Sequence, residues 1–253
     1  MSNGQRSIWP PLNAACGPIE TRGTREGGLV RHDVRVIDDE ALRKLGQRLI
    51  EVDGVVGVLL GGSRACGEHT PESDFDLGLY YRPPLDIDAL QDLARDIAGP
   101  KASVTRPGEW GSWVDGGGWL YIGGTAVDWI YRGLDRVLKS WEDARAGRYD
   151  FHFQIGHPFG VPDFMYAGEV ALGVVLADPS GEITALQKAT RRYPPLLRDA
   201  LVAGLREASF DIDIARKAVT RGDTAYVGGC LFRVVEVCAH ALHGHAEHWL
   251  INE

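Results

Sequence analysis

The sequence predicts an α/β (α+β) protein: a small mixed, twisted sheet carrying helices, followed by an α-helical bundle. Three observations carry this. Between residues 38 and 148, apolar runs of strand length alternate with segments of helical period. Two β-rich runs, 119–122 and 125–132, are joined by Gly123 and Gly124, a hairpin signal. Beyond residue 148 the apolar positions recur mostly at helical spacing, as in a bundle. The resulting division is an N-terminal arm (1–37), a sheet-containing domain (38–148) and a helical domain (149–253).

Residues 1–37 show no clear period and are rich in Gly, Pro and Arg. Residues 38–52 read as a helix with Leu42, Leu45, Leu49 and Ile50 on one face, and Asp38, Asp39 and Glu40 suit its start. Residues 55–60 are an apolar strand. Gly61, Gly62 and Ser63 then make a turn that needs small residues, and a helix opening there would aim free N–H groups over the strand end. After a polar loop, 74–81 reads as a second strand, ended by Arg82, Pro83 and Pro84. Residues 86–98 read as a helix closed by Gly99 and Pro100, with a short strand expected over 101–105. Residues 134–146 form another predicted helix. An aromatic connector, 149–168, holds His152 and His157. Helices are expected over 164–176, 182–192, 196–221 and 223–251. The last two would bury Leu197, Leu201, Leu205 and Ala208, then Val227, Leu231, Val234, Val235, Cys238 and Leu242.

At 253 residues, 44% apolar and 25% charged, the chain can hold real cores. No apolar run approaches the ~20 residues that span a bilayer, and the N-terminus lacks a signal-peptide pattern. These features predict a cytoplasmic protein with no membrane partner. The apolar pattern persists to the last residues, so continuation past Glu253 is expected. The net charge of −8 argues against nonspecific nucleic-acid binding and is compatible with a cationic substrate. Cys16, Cys66, Cys230 and Cys238 are scattered and read as free thiols. His240, His243, His245 and His248 crowd the last helix but do not converge as zinc ligands, and read as exposed or partly packed.

The chemistry concentrates in three acidic residues. Asp74 and Asp76 are two apart on a strand, so their carboxylates share a face while Phe75 and Leu77 face the core. Asp128 is a lone carboxylate in an apolar strand and needs a partner, either Arg132 on the same face or a metal. Carboxylates beside a phosphate-accepting turn suit Mg²⁺, which takes oxygen ligands and keeps substrate phosphates in its shell. No GxxxxGK[ST] motif and no GxGxxG opening a helix after a strand is present.

Taken together, Leu60, Gly61, Gly62 and Ser63, then Asp74, Phe75 and Asp76, then Val127, Asp128 and Trp129 resemble the signature of the polymerase-beta-type nucleotidyltransferase superfamily. The resemblance covers roughly residues 40–135. A small catalytic domain followed by a helical bundle is similar to the antibiotic (aminoglycoside-type) and minimal nucleotidyltransferases. The resemblance implies that Asp74, Asp76 and Asp128 hold two Mg²⁺ ions and are catalytic. It implies that Gly62 and Ser63, with Arg64 beside them, bind the phosphates of ATP or another nucleoside triphosphate. The expected reaction moves a nucleoside monophosphate to a hydroxyl of a small acceptor, such as an aminoglycoside-like antibiotic, and releases pyrophosphate. The acceptor proton goes to Asp128 or to Glu169. Adenylylation of a protein and a non-catalytic nucleotide-binding role are the alternatives. A homodimer is compatible with this reading, and nucleic acid is not an expected partner.

Overall fold

The computed structural model of the chain describes residues 37–67, 69–70 and 73–251. The expected N-terminal arm, Cys16, Glu68 and the chain end at Glu253 lie outside these residues.

Helix α1, Asp39–Ile50, starts where Asp38 caps it, its side chain accepting from the Ala41 N–H at 2.8 Å. It buries Leu42, Leu45 and Leu49, as its period requires. Strand β1, Val55–Leu60, runs into α2, Gly62–Cys66, which ends at Gly67 in the left-handed conformation. Strand β2 is Phe75–Tyr81, so Asp74 stands just before the strand. Asp86 caps α3, Ile87–Ala98. Residues 101–105 form no strand: the segment is held as a loop by Gln91, whose amide bonds the Ala102 carbonyl and the Val104 N–H.

Strands β3, Gly117–Ile122, and β4, Thr125–Gly133, form the expected hairpin, with Gly123 and Gly124 both at positive φ in its turn. Helix α4 follows as Leu134–Arg145. The aromatic connector folds into a two-stranded hairpin, β5 (Phe151–Gln154) and β6 (His157–Pro162).

Helix α5 is shorter than its period suggested. It spans Met165–Leu172, and after Gly173 the apolar residues Val174–Ala177 become β7. That strand pairs antiparallel with β1, carrying the chain beyond residue 148 back into the sheet. Helix α6 is Glu182–Thr190. The expected helix over 196–221 is two helices, α7 (Pro195–Gly204) and α8 (Arg206–Val219), broken at Gly204 and Leu205. The final helix, α9, is Thr224–His245, and residues 246–251 turn back, with the Trp249 indole N–H donating to the Thr190 carbonyl at 3.1 Å.

The five-stranded sheet has the order β3-β4-β2-β1-β7. Only the β2–β4 pair is parallel. One face is covered by α1 and α3, forming the main core around Leu49, Leu77, Leu90 and Trp129. The other face is covered at one end by α4, α5 and α6 around Tyr80, Val137 and Val170. Its other end stays open, as a cleft beside Asp76.

Two expectations about α9 are corrected. Among the described residues it is long and apolar enough, by length and composition, to cross a membrane, although no apolar run was expected to be. Of the face expected to be inward, Val234 and Cys238 pack against the Phe159, Ala208 and Val237 cluster, whereas its other half looks outward. Leu231, Val235 and Leu242 are 49%, 61% and 68% exposed, while Val237, His240 and Ala241 are buried. His240 is therefore packed in the core, against Phe151, Phe159 and Phe164.

Candidate active site

The β2–β4 register builds the site. Phe75, Leu77 and Leu79 point into the main core, so Asp76, Gly78 and Tyr80 point to the opposite face. In the parallel pair, Asp76 lies opposite Asp128, Gly78 opposite Ile130, and Tyr80 opposite Arg132. Asp74 reaches the same place from the loop before β2. A ligand oxygen from each of Asp74, Asp76 and Asp128 lies within 4.8 Å of the others.

The turn after β1 fits against these carboxylates. The Gly61 N–H donates to the Asp76 carbonyl at 2.8 Å. Gly62 has φ +62°, and a Cβ there would collide with Asp76 Oδ2. Only glycine serves at this position, on both counts. Arg64 acts on the other flank. Its guanidinium lies 3.8 Å from the centroid of the Phe75 ring and donates to the carbonyls of Ser73 and Asp74, the latter at 2.9 Å. Arg64 therefore fixes the loop that delivers Asp74, and these bonds occupy the group expected to reach the nucleotide.

None of the three carboxylates is in an ion pair with a described residue. Burial pushes the Asp128 carboxyl up to about 7, with repulsion from Asp74 and then Asp76 adding to it. Burial likewise pushes Asp76 up to about 6, reinforced by Asp74 and Glu169 and opposed by Arg132. Three crowded carboxylates with no cation between them are the donor set a hard divalent ion takes. The oxygen ligands, their closeness and the absent counter-charge all fit Mg²⁺.

The ion pair considered for Asp128 does not form. Arg132, on the same face, turns to Glu169 on α5. Its Nε and Nη2 donate to the two carboxylate oxygens at 2.7 and 2.6 Å. Arg132 is 5% exposed, so this is a buried bidentate pair. Glu169 is thereby neutralised, and its carboxylate is committed to Arg132. Sequence reasoning could not pair residues 37 positions apart; an Arg inside an apolar strand was the only signal.

Two adjoining clefts meet at Gly62. The first, about 190 Å³, runs from Asp76 under α5 and is lined by Gly78, Ile130, Met165 and Leu172, with Arg132 and Glu169 also in its wall. His157 from the connector also lines it, whereas His152 stacks on Trp113 with ring centroids 3.6 Å apart. The second, about 700 Å³, has Gly62 and Ser63 on one wall and Arg191, His243 and His248 on the other. Arg191 is in no ion pair with a described residue. These three residues were missed as candidate site residues. The only trace in the sequence was the histidine cluster of the last helix.

Residues 40–108 match the model of the family described as nucleotidyltransferase domain. Among curated proteins, none matches the chain. A solved structure of a nucleotidyltransferase-like protein from Exiguobacterium sibiricum 255-15 is similar at 11% identity with a TM-score of 0.42. The match covers 82% of this chain and 57% of that one.

Proposed function

We propose, from the premise that residues 40–108 are a nucleotidyltransferase domain of the polymerase-beta-type superfamily, that the chain transfers a nucleoside monophosphate to a hydroxyl of a small molecule and releases pyrophosphate. ATP is the proposed donor. The observation that carries this reading is the convergence of Asp74, Asp76 and Asp128 against Gly62, with no counter-charge.

On this reading Asp74, Asp76 and Asp128 would hold Mg²⁺. When bound, the metal supplies activation of the attacking oxygen and charge stabilisation on the leaving one. The chain's own groups do the rest. Gly62 and Ser63 receive phosphate oxygens on their backbone N–H groups. Arg191, His243 and His248 face them across the wider cleft and donate to the tail that leaves as pyrophosphate. Asp128, at the edge of the carboxylate cluster, accepts the proton of the acceptor hydroxyl. Glu169 does not compete for this role, because Arg132 occupies both its oxygens. Residues 38–148 thus supply the carboxylates, and residues 149–253 the opposing wall.

The cleft under α5 bears on the acceptor. Its acidic groups are Asp76, which belongs to the metal site, and Glu169, which is neutralised. Its remaining wall is mostly apolar. This favours an acceptor with an apolar body and a single reactive hydroxyl over a polycation such as an aminoglycoside, despite the net charge of −8.

The test is mass spectrometry of a hydroxyl-bearing panel incubated with the full chain, Mg²⁺ and each of four nucleoside triphosphates. A nucleotidylated apolar alcohol supports the reading. Label appearing only on a protein, or nucleotide bound without pyrophosphate release on any acceptor, overturns it.

A further inference from the structure

The outward face of α9 carries Gly228, Leu231, Val235 and Leu242, with the half-buried Cys238 at its edge against Phe159, Ala208 and Val237; the five are spaced three, four, three and four residues apart. This is the seam spacing of two helices packed together. The seam lies on the side of α9 opposite Val237, His240 and Ala241, which pack against the rest of the chain. In the described protomer Leu231, Val235 and Leu242 stay 49%, 61% and 68% exposed.

We infer that this seam is the interface of a homodimer, in which α9 packs against α9 of a second copy. Three observations select a second copy as the occupant.

The first is charge. Each copy carries −8, which opposes association, and the seam adds no like-charge contact of its own to that repulsion. No Asp, Glu, Lys or Arg stands at positions 228, 231, 232, 235, 238, 239 or 242, and Arg233 turns away to Glu207.

The second is the pair of glycines. Gly228 and Gly229 sit inside a helix, where glycine is unfavourable, and a Cβ on either would meet nothing within 4 Å. Packing among the described residues therefore gives no reason for them. A second backbone approaching closely does.

The third is area. The seam is about 21 Å long at the helical rise. Leu231, Phe232, Val235 and Leu242 together leave roughly 400 Å² of apolar side chain open, against about 800 Å² per partner, roughly 60% of it apolar, in a standard interface. One α9 thus supplies most of the apolar share, and the flanking surface supplies the rest.

The experiment is sedimentation equilibrium of the full chain from 1 to 100 µM, beside Val235→Lys and, as a second variant, Leu231→Gln. Both positions are already open, so both variants are expected to keep the wild-type circular dichroism; Leu231→Gln decides should Val235→Lys unfold. The wild type is expected at twice the chain mass of 27.7 kDa. Either variant is expected to weaken dimerisation at least 30-fold while keeping wild-type affinity for ATP. A wild type that stays monomeric throughout overturns the inference, as does a dimer that persists in both variants. A chain that co-sediments with phosphatidylcholine–phosphatidylglycerol vesicles through Val235 also overturns it, because the occupant is then lipid.

Discussion

Replacing Glu169 with Gln separates two roles for that residue. If it anchors Arg132, the change leaves a guanidinium that is 5% exposed without its counter-charge. Removing one partner of a buried pair costs about 3–5 kcal/mol. The Glu169 side chain is itself 22% exposed, so water reaches it and the lower end applies. Gln keeps one acceptor for Arg132, and a bond to a charged group is worth about 1.5–3 kcal/mol against about 1 for a neutral pair. We therefore expect a loss of about 2 kcal/mol for Glu169→Gln and about 3 kcal/mol for Glu169→Ala, read from urea unfolding. The double change Arg132→Met with Glu169→Leu, which leaves no buried charge, should recover much of it. Turnover, measured where each variant is fully folded, should fall modestly through displacement of α5. With the Glu169 carboxylate gone, Arg132 draws the Asp76 carboxyl below its value of about 6. Glu169→Gln with wild-type stability and a turnover loss above 100-fold would refute this reasoning and make Glu169 the base.

Asp128→Asn should keep the fold and nucleotide binding and lose turnover by at least about 100-fold, measured by pyrophosphate release. Gly62→Ala should cost about 1–3 kcal/mol, from positive φ and from the collision with Asp76, and should weaken Mn²⁺ binding measured by electron paramagnetic resonance. The pH dependence of stability follows from the carboxyls at about 6 and 7, both above their ordinary 3.8. Between pH 4 and 7 the native state holds more protons than the unfolded chain, so in chelator these groups lose stability as pH rises through that window. Discounted for solvent screening, the effect is about 1–2 kcal/mol. His240, held down to about 4 by burial, pulls the other way below pH 6.5. The comparison is therefore wild type against Asp128→Asn, and Mg²⁺ should stabilise the wild type at pH 8 far more than at pH 5.5.

The centre of the fold was legible because its signals are local. Alternation places Asp76 beside Asp128 once two strands are recognised, and Asp38, Asp86 and the Gly123–Gly124 turn mark ends that the structure keeps. The failures have physical causes as well. Residues 174–177 continue the apolar period of α5, yet Gly173 lets the chain extend into the free edge of β1. The Gly204–Leu205 break was hidden by an unbroken helical period. Period tells that residues 224–245 are a helix with an apolar stripe, but not whether this chain covers the stripe. The Arg132–Glu169 pair and the Arg191 wall are long-range meetings that no local pattern encodes.

The most direct test is pyrophosphate release from ATP with Mg²⁺ and the acceptor panel, comparing wild type with Asp74→Asn and Asp76→Asn. The account predicts release by the wild type, and folded variants that bind ATP with turnover reduced at least about 100-fold. Folded variants that turn over at the wild-type rate would contradict it.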